Sequence, residues 1–165
     1  MFIRSDGFFS FTVSIRALFI GWIMLFTVSA GAVCVSSYEA KLRAGPGPQH
    51  KSTWTVSKYT PLIAHSRKGG WVEVEDQDGV KHWVYGQNVT DRFSCLSIRT
   101  RTAKLREKPS NSSPLADIRQ VDRYTPFKRL DRVDEWYQVE APWGGEYWVH
   151  ESTIWRPLTV SRISY

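Results

Sequence analysis

Residues 71–85 read WVEVEDQDGVKHWVY, and residues 136–150 read WYQVEAPWGGEYWVH. Aligned at an offset of 65 residues, the two stretches match tryptophan with tryptophan near both ends and glycine with glycine in the middle. Apolar and polar residues alternate before that glycine, which is the period-two pattern of a half-buried strand, and a second β-prone run follows it. The pattern predicts one β-hairpin that occurs twice in the chain.

The repeat continues upstream of the hairpin. Residues 40–43, AKLR, recur at 103–106, and residues 59–61, YTP, recur at 124–126. Matches that keep their order at a nearly constant offset are the signature of a repeated structural unit. Each copy is about 60 residues long, a size that can fold alone. We therefore expect two small domains rather than one.

The repeat also sets the expected boundaries and fold class. We expect domain 1 over residues 33–92, domain 2 over residues 93–157 and a tail over residues 158–165, with residues 88–92 as the link and residues 66–70 as a loop. No stretch of either unit shows a sustained 3.6-residue apolar period, whereas short β-prone runs separated by Gly and Pro recur. About five short strands in roughly 60 residues favour a small closed or nearly closed barrel. The predicted fold class is all-β, with two tandem small barrels.

The first 32 residues differ from the rest of the chain. Two arginines flank a Phe-rich start, residues 17–28 form an uncharged apolar run, and residues 30–32, AGA, supply a small-residue cleavage site. These features are typical of a secretory signal peptide over residues 1–32, cleaved before Val33. Two alternatives stay open, because the uncharged stretch is long enough for a retained membrane anchor and Cys34 lies near the cleavage point of a lipoprotein. The expected location is the periplasm, the cell envelope or the extracellular space.

Composition and charge exclude several classes of function. The chain of 165 residues is 42% hydrophobic, holds eight Trp and carries a net charge of +6. This aromatic content excludes a polar disordered chain. Loss of residues 1–32 would leave a charge of +5 that is dispersed along the sequence, whereas a nucleic-acid-binding face would concentrate it. We therefore expect no nucleic-acid partner, and a membrane partner only if the N-terminal segment is retained.

The cysteines and histidines predict a disulfide rather than a metal site. Two Cys are too few for a four-Cys zinc site, and the four His have no metal-ligand spacing. No nucleophile–base–carboxylate arrangement is recognisable in the sequence, so we expect no metal, no cofactor and no catalysis. Cys34 and Cys95 open the two copies, and an exported pair of cysteines usually becomes a disulfide. We predict a Cys34–Cys95 bond.

The ordered motifs resemble a known family. Residues 42–46 (LRAGP), 69–74 (GGWVEV), 78–79 (DG) and 83–84 (WV) follow the pattern of the bacterial SH3 domain. The second copy keeps most of these positions but lacks the glycine of the GP loop and the Asp of the hairpin turn. The resemblance implies an SH3-like β-barrel that binds a ligand without chemistry, as is common in bacterial envelope and cell-wall proteins.

The candidate binding residues come from the repeated aromatics and arginines. The paired tryptophans could fill a core or line a groove for a glycan or a peptide, and Trp143 is expected at an exposed hairpin tip. Arg43 and Arg106 follow leucines expected to face inward, so each could bond loop carbonyls or a carboxylate within the fold, or anchor an acidic ligand. The candidate ligand-binding residues are Arg43, Trp71, Trp83, Tyr85, Arg106, Trp136, Trp143 and Trp148.

These expectations define two functions. The first is a non-catalytic exported module that recognises peptidoglycan or its peptide stems. The alternative is a protein–protein interaction or structural module that docks an envelope enzyme or another envelope protein through its exposed aromatics.

Overall fold

The computed structural model describes residues 31–157. Residues 1–30 of the predicted signal peptide and the predicted tail lie outside the described residues. The described part is all-β, with fourteen strands, two short 3-10 helices and no α-helix within that range. The predicted fold class is therefore confirmed. No helix between residues 31 and 157 is long and apolar enough to cross a membrane.

Each unit contributes seven strands. The first unit has β1 Gly31–Val35, β2 Glu39–Arg43, β3 Ser52–Ser57, β4 Pro61–Lys68, β5 Trp71–Glu75, β6 Lys81–Tyr85 and β7 Val89–Thr90. The second unit has β8 Cys95–Ile98, β9 Thr102–Arg106, β10 Leu115–Asp122, β11 Pro126–Val133, β12 Trp136–Glu140, β13 Glu146–His150 and β14 Ile154–Trp155. The 3-10 helices, Gly86–Asn88 and Glu151–Thr153, precede β7 and β14.

The two units share one topology. The strand order is β3-β2-β6-β5-β4-β1-β7 in the first sheet and β10-β9-β13-β12-β11-β8-β14 in the second, and the described pairs are antiparallel. Each order has two ends, so hydrogen bonding closes neither sheet within residues 31–157. Each sheet nevertheless encloses its own hydrophobic core, as expected for two tandem domains.

The cores follow from the alternation in the sequence. In β5, Val72 and Val74 are fully buried, whereas Glu73 and Glu75 between and after them are only half-buried. Leu42 on β2 is fully buried too. Burying a side chain of this size contributes about 1.5–3 kcal/mol relative to exposing it. The inward face of each hairpin is therefore apolar, and its outward face is free to carry other chemistry.

Several elements differ from the sequence-based expectation of five strands. β3 has five exposed residues out of six, so it carries almost no apolar periodicity to detect. β7 lies within the predicted link 88–92, where it pairs with β1 through Cys34–Thr90 and Val35–Val89. β4 continues to Lys68, which reduces the predicted loop 66–70 to a turn at two glycines.

The disulfide between Cys34 and Cys95 is confirmed. The two cysteines lie on equivalent strands but at different positions, since Cys34 faces Pro61 across its sheet and Ser97 faces Pro126. On both strands the residues next to the cysteine point into the core, so each sulfur lies on the outward face. The bond therefore joins the outer faces of β1 and β8.

Hydrogen bonds extend the junction around the disulfide. The Tyr59 hydroxyl of the first unit donates to Oε1 of Glu140 in the second unit at 2.6 Å. In the opposite direction, the Tyr124 hydroxyl of the second unit donates to Oδ2 of Asp78 in the first at 2.8 Å. Tyr59 and Tyr124 occupy equivalent positions, and both adopt the left-handed conformation, with φ of 71° and 70°. The two bonds thus start from equivalent tyrosines but end on acceptors at different positions of the repeat.

Candidate functional site

The outward face of the first hairpin gathers the predicted binding residues of the first unit. Val84 on β6 is fully buried, so its neighbours Trp83 and Tyr85, which share the other face of the strand, point outward. Arg43 at the end of β2 pairs directly with Trp83 across the sheet. The β5–β6 hairpin brings Trp71 of β5 opposite Tyr85.

An open cleft of about 380 Å³ lies on this face. It combines an aromatic pair with two cationic side chains and one carboxylate. Its lining residues are Glu39, Lys41, Arg43, Trp71, Tyr85 and Asn88. The indole of Trp71 and the phenol of Tyr85 are tilted against each other, with ring centroids 5.6 Å apart. We name this feature the first cleft.

The second unit has a cleft of about 370 Å³ in the same place, which we name the second cleft. It includes the structural counterparts of all six positions that line the first cleft. These counterparts are Thr102, Lys104, Arg106, Trp136, His150 and Thr153. The strand register sets the equivalence, since Trp136 pairs with His150 as Trp71 pairs with Tyr85. The repeat therefore preserves a surface feature as well as a core.

The two clefts differ in the aromatic surface that they expose. Trp71 is half-buried, whereas Trp136 is only 7% exposed and packs edge-on against His150 at a centroid distance of 5.0 Å. The first cleft therefore offers more of its indole to a ligand. Sequence comparison could pair these tryptophans but could not show that one of them is nearly covered.

Arg43 and Arg106 have a structural role, which was one of the two alternatives that the sequence left open. Nη1 of Arg43 donates to the carbonyl of His50 at 2.7 Å, and Nη1 of Arg106 donates to the carbonyl of Ser113 at 2.5 Å. Each bond ties the end of a strand to the loop that follows it. A guanidinium has five N–H donors, so this single bond does not preclude a contact from the same side chain to a ligand in the cleft.

The remaining candidate residues lie outside the clefts. Trp83 and Trp148 are half-buried and pair across the sheet with Arg43 and Arg106, so they border the clefts without lining them. Trp143 lies at the tip of its hairpin and is 52% exposed, as the sequence predicted. It faces the first unit across a separate groove rather than joining the second cleft.

The first unit contains a buried chain of hydrogen-bonded polar side chains. The sequence did not predict it, since the histidines were expected to be ordinary surface or edge residues. His82 lies in the core face of β6 and is only 6% exposed. Its Nδ1 is 2.8 Å from Oγ1 of Thr53, and its Nε2 is 3.2 Å from Oδ2 of Asp76. The other oxygen of Asp76 accepts the backbone N–H groups of Asp78 and Val80, each at 2.9 Å. The chain thus fixes the β5–β6 turn.

This polar chain occurs in one copy only. Ala116, Tyr147 and Ala141 hold the corresponding positions in the second unit, which nevertheless forms the same turn, with Ala141 and Gly145 bonded as Asp76 and Val80 are. The fold therefore does not require it. Period-two alternation identifies position 82 as inward, which is the signal that could have indicated a buried histidine.

Two carboxylates at the junction have specific electrostatic roles. The hydrogen bonds that Tyr59 and Lys128 donate to Glu140 hold the pKa of that carboxyl below its ordinary value. The same contact with Glu140 raises the pKa of Lys128. The hydrogen bond to Asp78 raises the pKa of the Tyr124 phenol. Within residues 31–157, no group of three or more His, Cys, Asp or Glu could hold a metal ion.

Comparison with known proteins gives one family match and several distant structural similarities. Residues 36–91 match the model of the bacterial SH3 domain. No curated protein matches the chain by sequence. The matched part of the first unit contains six of its seven strands in full and the whole of the first cleft.

Among solved structures, the chain is similar to NlpC2 from Trichomonas vaginalis, with 12% identity, a TM-score of 0.36 and coverage of 84% of this chain and 52% of the other. It is also similar to an NlpC/P60 family protein from Bacillus cereus ATCC 10987, with 15% identity, a TM-score of 0.37 and coverage of 76% and 57%. The CBD of endolysin LysPBC5 is a third, with 13% identity, a TM-score of 0.31 and coverage of 76% and 93%. The chain thus spans about half the length of the two NlpC proteins. By its family match, the first unit of this chain resembles the bacterial SH3 domain over residues 36–91.

Proposed function

We propose that this protein is an exported, non-catalytic module that binds peptidoglycan through the first and second clefts. The observation that carries the proposal is the repetition of the cleft, because the same six strand and loop positions line it in both units. A core is repeated whenever a fold is repeated, but the exposed lysine on the outward face, Lys41 in the first unit and Lys104 in the second, is not needed by the fold.

The chemistry of the clefts suits a cell-wall polymer. An exposed aromatic face such as that of Trp71 packs against the apolar face of a sugar ring or against a flat peptide group. The neighbouring Lys41 and Arg43, and Lys104 and Arg106 in the second unit, supply cations for carboxylates. Peptidoglycan carries both features, since its glycan strands bear peptide stems that end in carboxylates.

The compartment agrees with this ligand. Disulfides persist in oxidising compartments outside the cytoplasm, and the Cys34–Cys95 bond crosses the junction between the two units. The predicted signal peptide would deliver the chain to such a compartment. Bacterial SH3 domains are binding domains, and Asp76 of the Thr53–His82–Asp76 chain is already engaged by two backbone N–H groups of its turn. These features support a binding role without catalysis.

Co-sedimentation with purified peptidoglycan sacculi tests the proposal. The unmodified protein is expected in the pellet, and Trp71→Ala is expected to weaken binding about tenfold through loss of an exposed aromatic contact. The double change Lys41→Glu and Lys104→Glu reverses one exposed charge in each cleft and should weaken binding further. Lys81→Glu is the matched control, because Lys81 lies on the same outward face of β6 but outside the cleft.

The alternative role, docking of an envelope protein, makes the opposite prediction. If the protein stays in the supernatant with sacculi, or if the cleft variants sediment like the Lys81→Glu control, the proposed function is wrong. Measurement at several salt concentrations separates specific binding from general attraction of a basic protein to an anionic wall, because only the latter disappears entirely as salt rises.

A further inference from the structure

Four exposed aromatic residues gather at the junction. Tyr38 is 83% exposed, and Trp54, Tyr124 and Trp143 are also exposed. Tyr38 and Trp143 have no aromatic counterpart in the other copy, where Arg101 and Asp78 occupy their positions. Since the fold does not require rings at these positions, their convergence on one surface calls for a functional explanation.

These side chains border two cavities that share one strand. A cavity of about 110 Å³ lies beside Trp54 and Tyr124, whose rings meet edge-on at 5.3 Å. A larger one of about 410 Å³ lies beside Tyr38 and Trp143. Residues 55–57 of β3 line both of them, and each is walled on its far side by the second unit. We name the combined feature the junction groove.

β3 presents unpaired backbone groups to this groove. It is an end strand, and within the described residues it pairs only with β2. The Lys58 N–H donates to the Tyr38 carbonyl at 3.0 Å, which fixes the alternation of the antiparallel ladder. Residues 54 and 56 therefore bond towards β2, and the N–H and C=O of Thr55 point away from β2. A free strand edge is a template for another extended chain.

We propose that the junction groove binds a short extended peptide, which adds to the free edge of β3 opposite Thr55. Backbone hydrogen bonds to Thr55 would align the peptide, and one of its apolar side chains would enter the cavity beside Trp54 and Tyr124. The Trp143 indole would cover the peptide from the second unit. Apart from Glu39, which lines both features, this site shares no lining residue with the first and second clefts, so it can be tested separately from peptidoglycan binding.

Charge adds a preference at one end of the peptide. Asp78 at the groove is already paired with Arg123 and Tyr124 of the second unit. Glu39 lines the larger cavity, and none of the ion pairs in the described residues includes it. The groove therefore favours a peptide with a basic residue next to Glu39 and uncharged residues along β3.

Selection from a phage-displayed library of random nine-residue peptides tests the proposal with the full, oxidised chain. Enriched peptides are synthesised with a fluorophore, and their affinity is measured by fluorescence anisotropy. Thr55→Pro removes only the outward N–H of an edge strand, a position where Pro is tolerated, and should weaken binding about tenfold. Trp143→Ala should weaken it by a similar factor.

Gln120→Pro is the matched control. Gln120 pairs with Lys104 as Thr55 pairs with Lys41, and the Arg123 N–H bonds the Arg101 carbonyl, so the Gln120 N–H also points outward. This change should leave the affinity unaltered. Hydrogen exchange of the Thr55 amide in the unmodified protein gives a readout that needs no variant, since bound peptide should slow it.

Three results would overturn the proposal. One is a selection that enriches no peptide above the background of the library. Another is a set of enriched peptides that bind Thr55→Pro and Trp143→Ala as tightly as the unmodified protein and leave exchange of the Thr55 amide unchanged. The third is a loss of binding in Lys41→Glu without a loss in Thr55→Pro, which would assign the peptides to the first cleft.

Discussion

The Tyr59 hydroxyl and the Glu140 carboxylate form a hydrogen bond of 2.6 Å that crosses from the first unit to the second. Tyr59 is only 3% exposed, and its ring packs edge-on against Phe93 at 5.6 Å, beside the disulfide. The bond is thus held by a rigid, buried donor. Together with the disulfide it makes the junction part of the folded structure rather than a flexible link.

The Glu140 contact makes the stability of the protein depend on pH. The folded pKa of Glu140 lies below its unfolded value, first because of the Tyr59 bond and then because of Lys128. Stability from this carboxylate is present above the unfolded pKa, about 4.5, and is lost as pH falls through the folded pKa. We expect Glu140→Gln to be less stable than the unmodified protein at pH 7, with a difference that shrinks below pH 4.5.

Urea unfolding at pH values from 7 to 3 measures this difference. Glu107→Gln is the control, because Glu107 belongs to none of the ion pairs in the described residues. A difference between the Glu140→Gln variant and the unmodified protein that stays constant over the whole range would contradict the assigned role of Glu140.

Removal of the disulfide should loosen the junction. The Cys34–Cys95 bond closes a loop across a sequence separation of 61 residues, and such a bond contributes about 2–4 kcal/mol to the free energy of unfolding. We expect reductant to lower the urea midpoint of the oxidised protein. The double variant Cys34→Ser and Cys95→Ser should match the reduced protein and ignore reductant. Equal midpoints for the oxidised and reduced proteins would show that the bond adds no stability.

The arginine bonds to loop carbonyls should stabilise both units. Arg43→Ala removes the charged donor from the His50 carbonyl, and Arg106→Ala removes it from the Ser113 carbonyl. Each change should lower the free energy of unfolding by about 1–2 kcal/mol, since each removes a hydrogen bond from a charged group. The measurement is urea unfolding, with the exposed Arg119→Ala as control. If both variants unfold like the control, the loop bonds do not stabilise the fold.

The sequence predicted those parts of the fold in which apolar and polar residues alternate regularly. The alternation around Val72 and Val74, the turn signal after it and the β-prone run at residues 82–85 predicted the hairpin, but not which face of β6 points outward. β3 was not predicted, because an edge strand with one buried residue shows no alternation of apolar and polar residues. The junction groove was not predicted, because Tyr38 and Trp143 lie 105 residues apart in the sequence and are brought together only by contacts between the two folded units. The repeat pairs the residues of the second cleft with those of the first, but only the structure shows that Trp136 is buried.

The role of the Thr53–His82–Asp76 chain in the first unit can be tested by introducing the residues that occupy the same positions in the second unit. Asp76→Ala removes the partner of Nε2 of His82, a buried residue, and the acceptor of the backbone N–H groups of Asp78 and Val80. Such a loss should lower the free energy of unfolding by about 2–3 kcal/mol, because buried polar groups without partners keep their desolvation cost. Copying the second unit by the triple change Thr53→Ala, Asp76→Ala and His82→Tyr should recover most of this loss, because the unpaired groups are removed together.

Urea unfolding of the single variant, the triple variant and the unmodified protein measures both effects. A triple variant less stable than Asp76→Ala alone would mean that the two cores are not interchangeable at these positions.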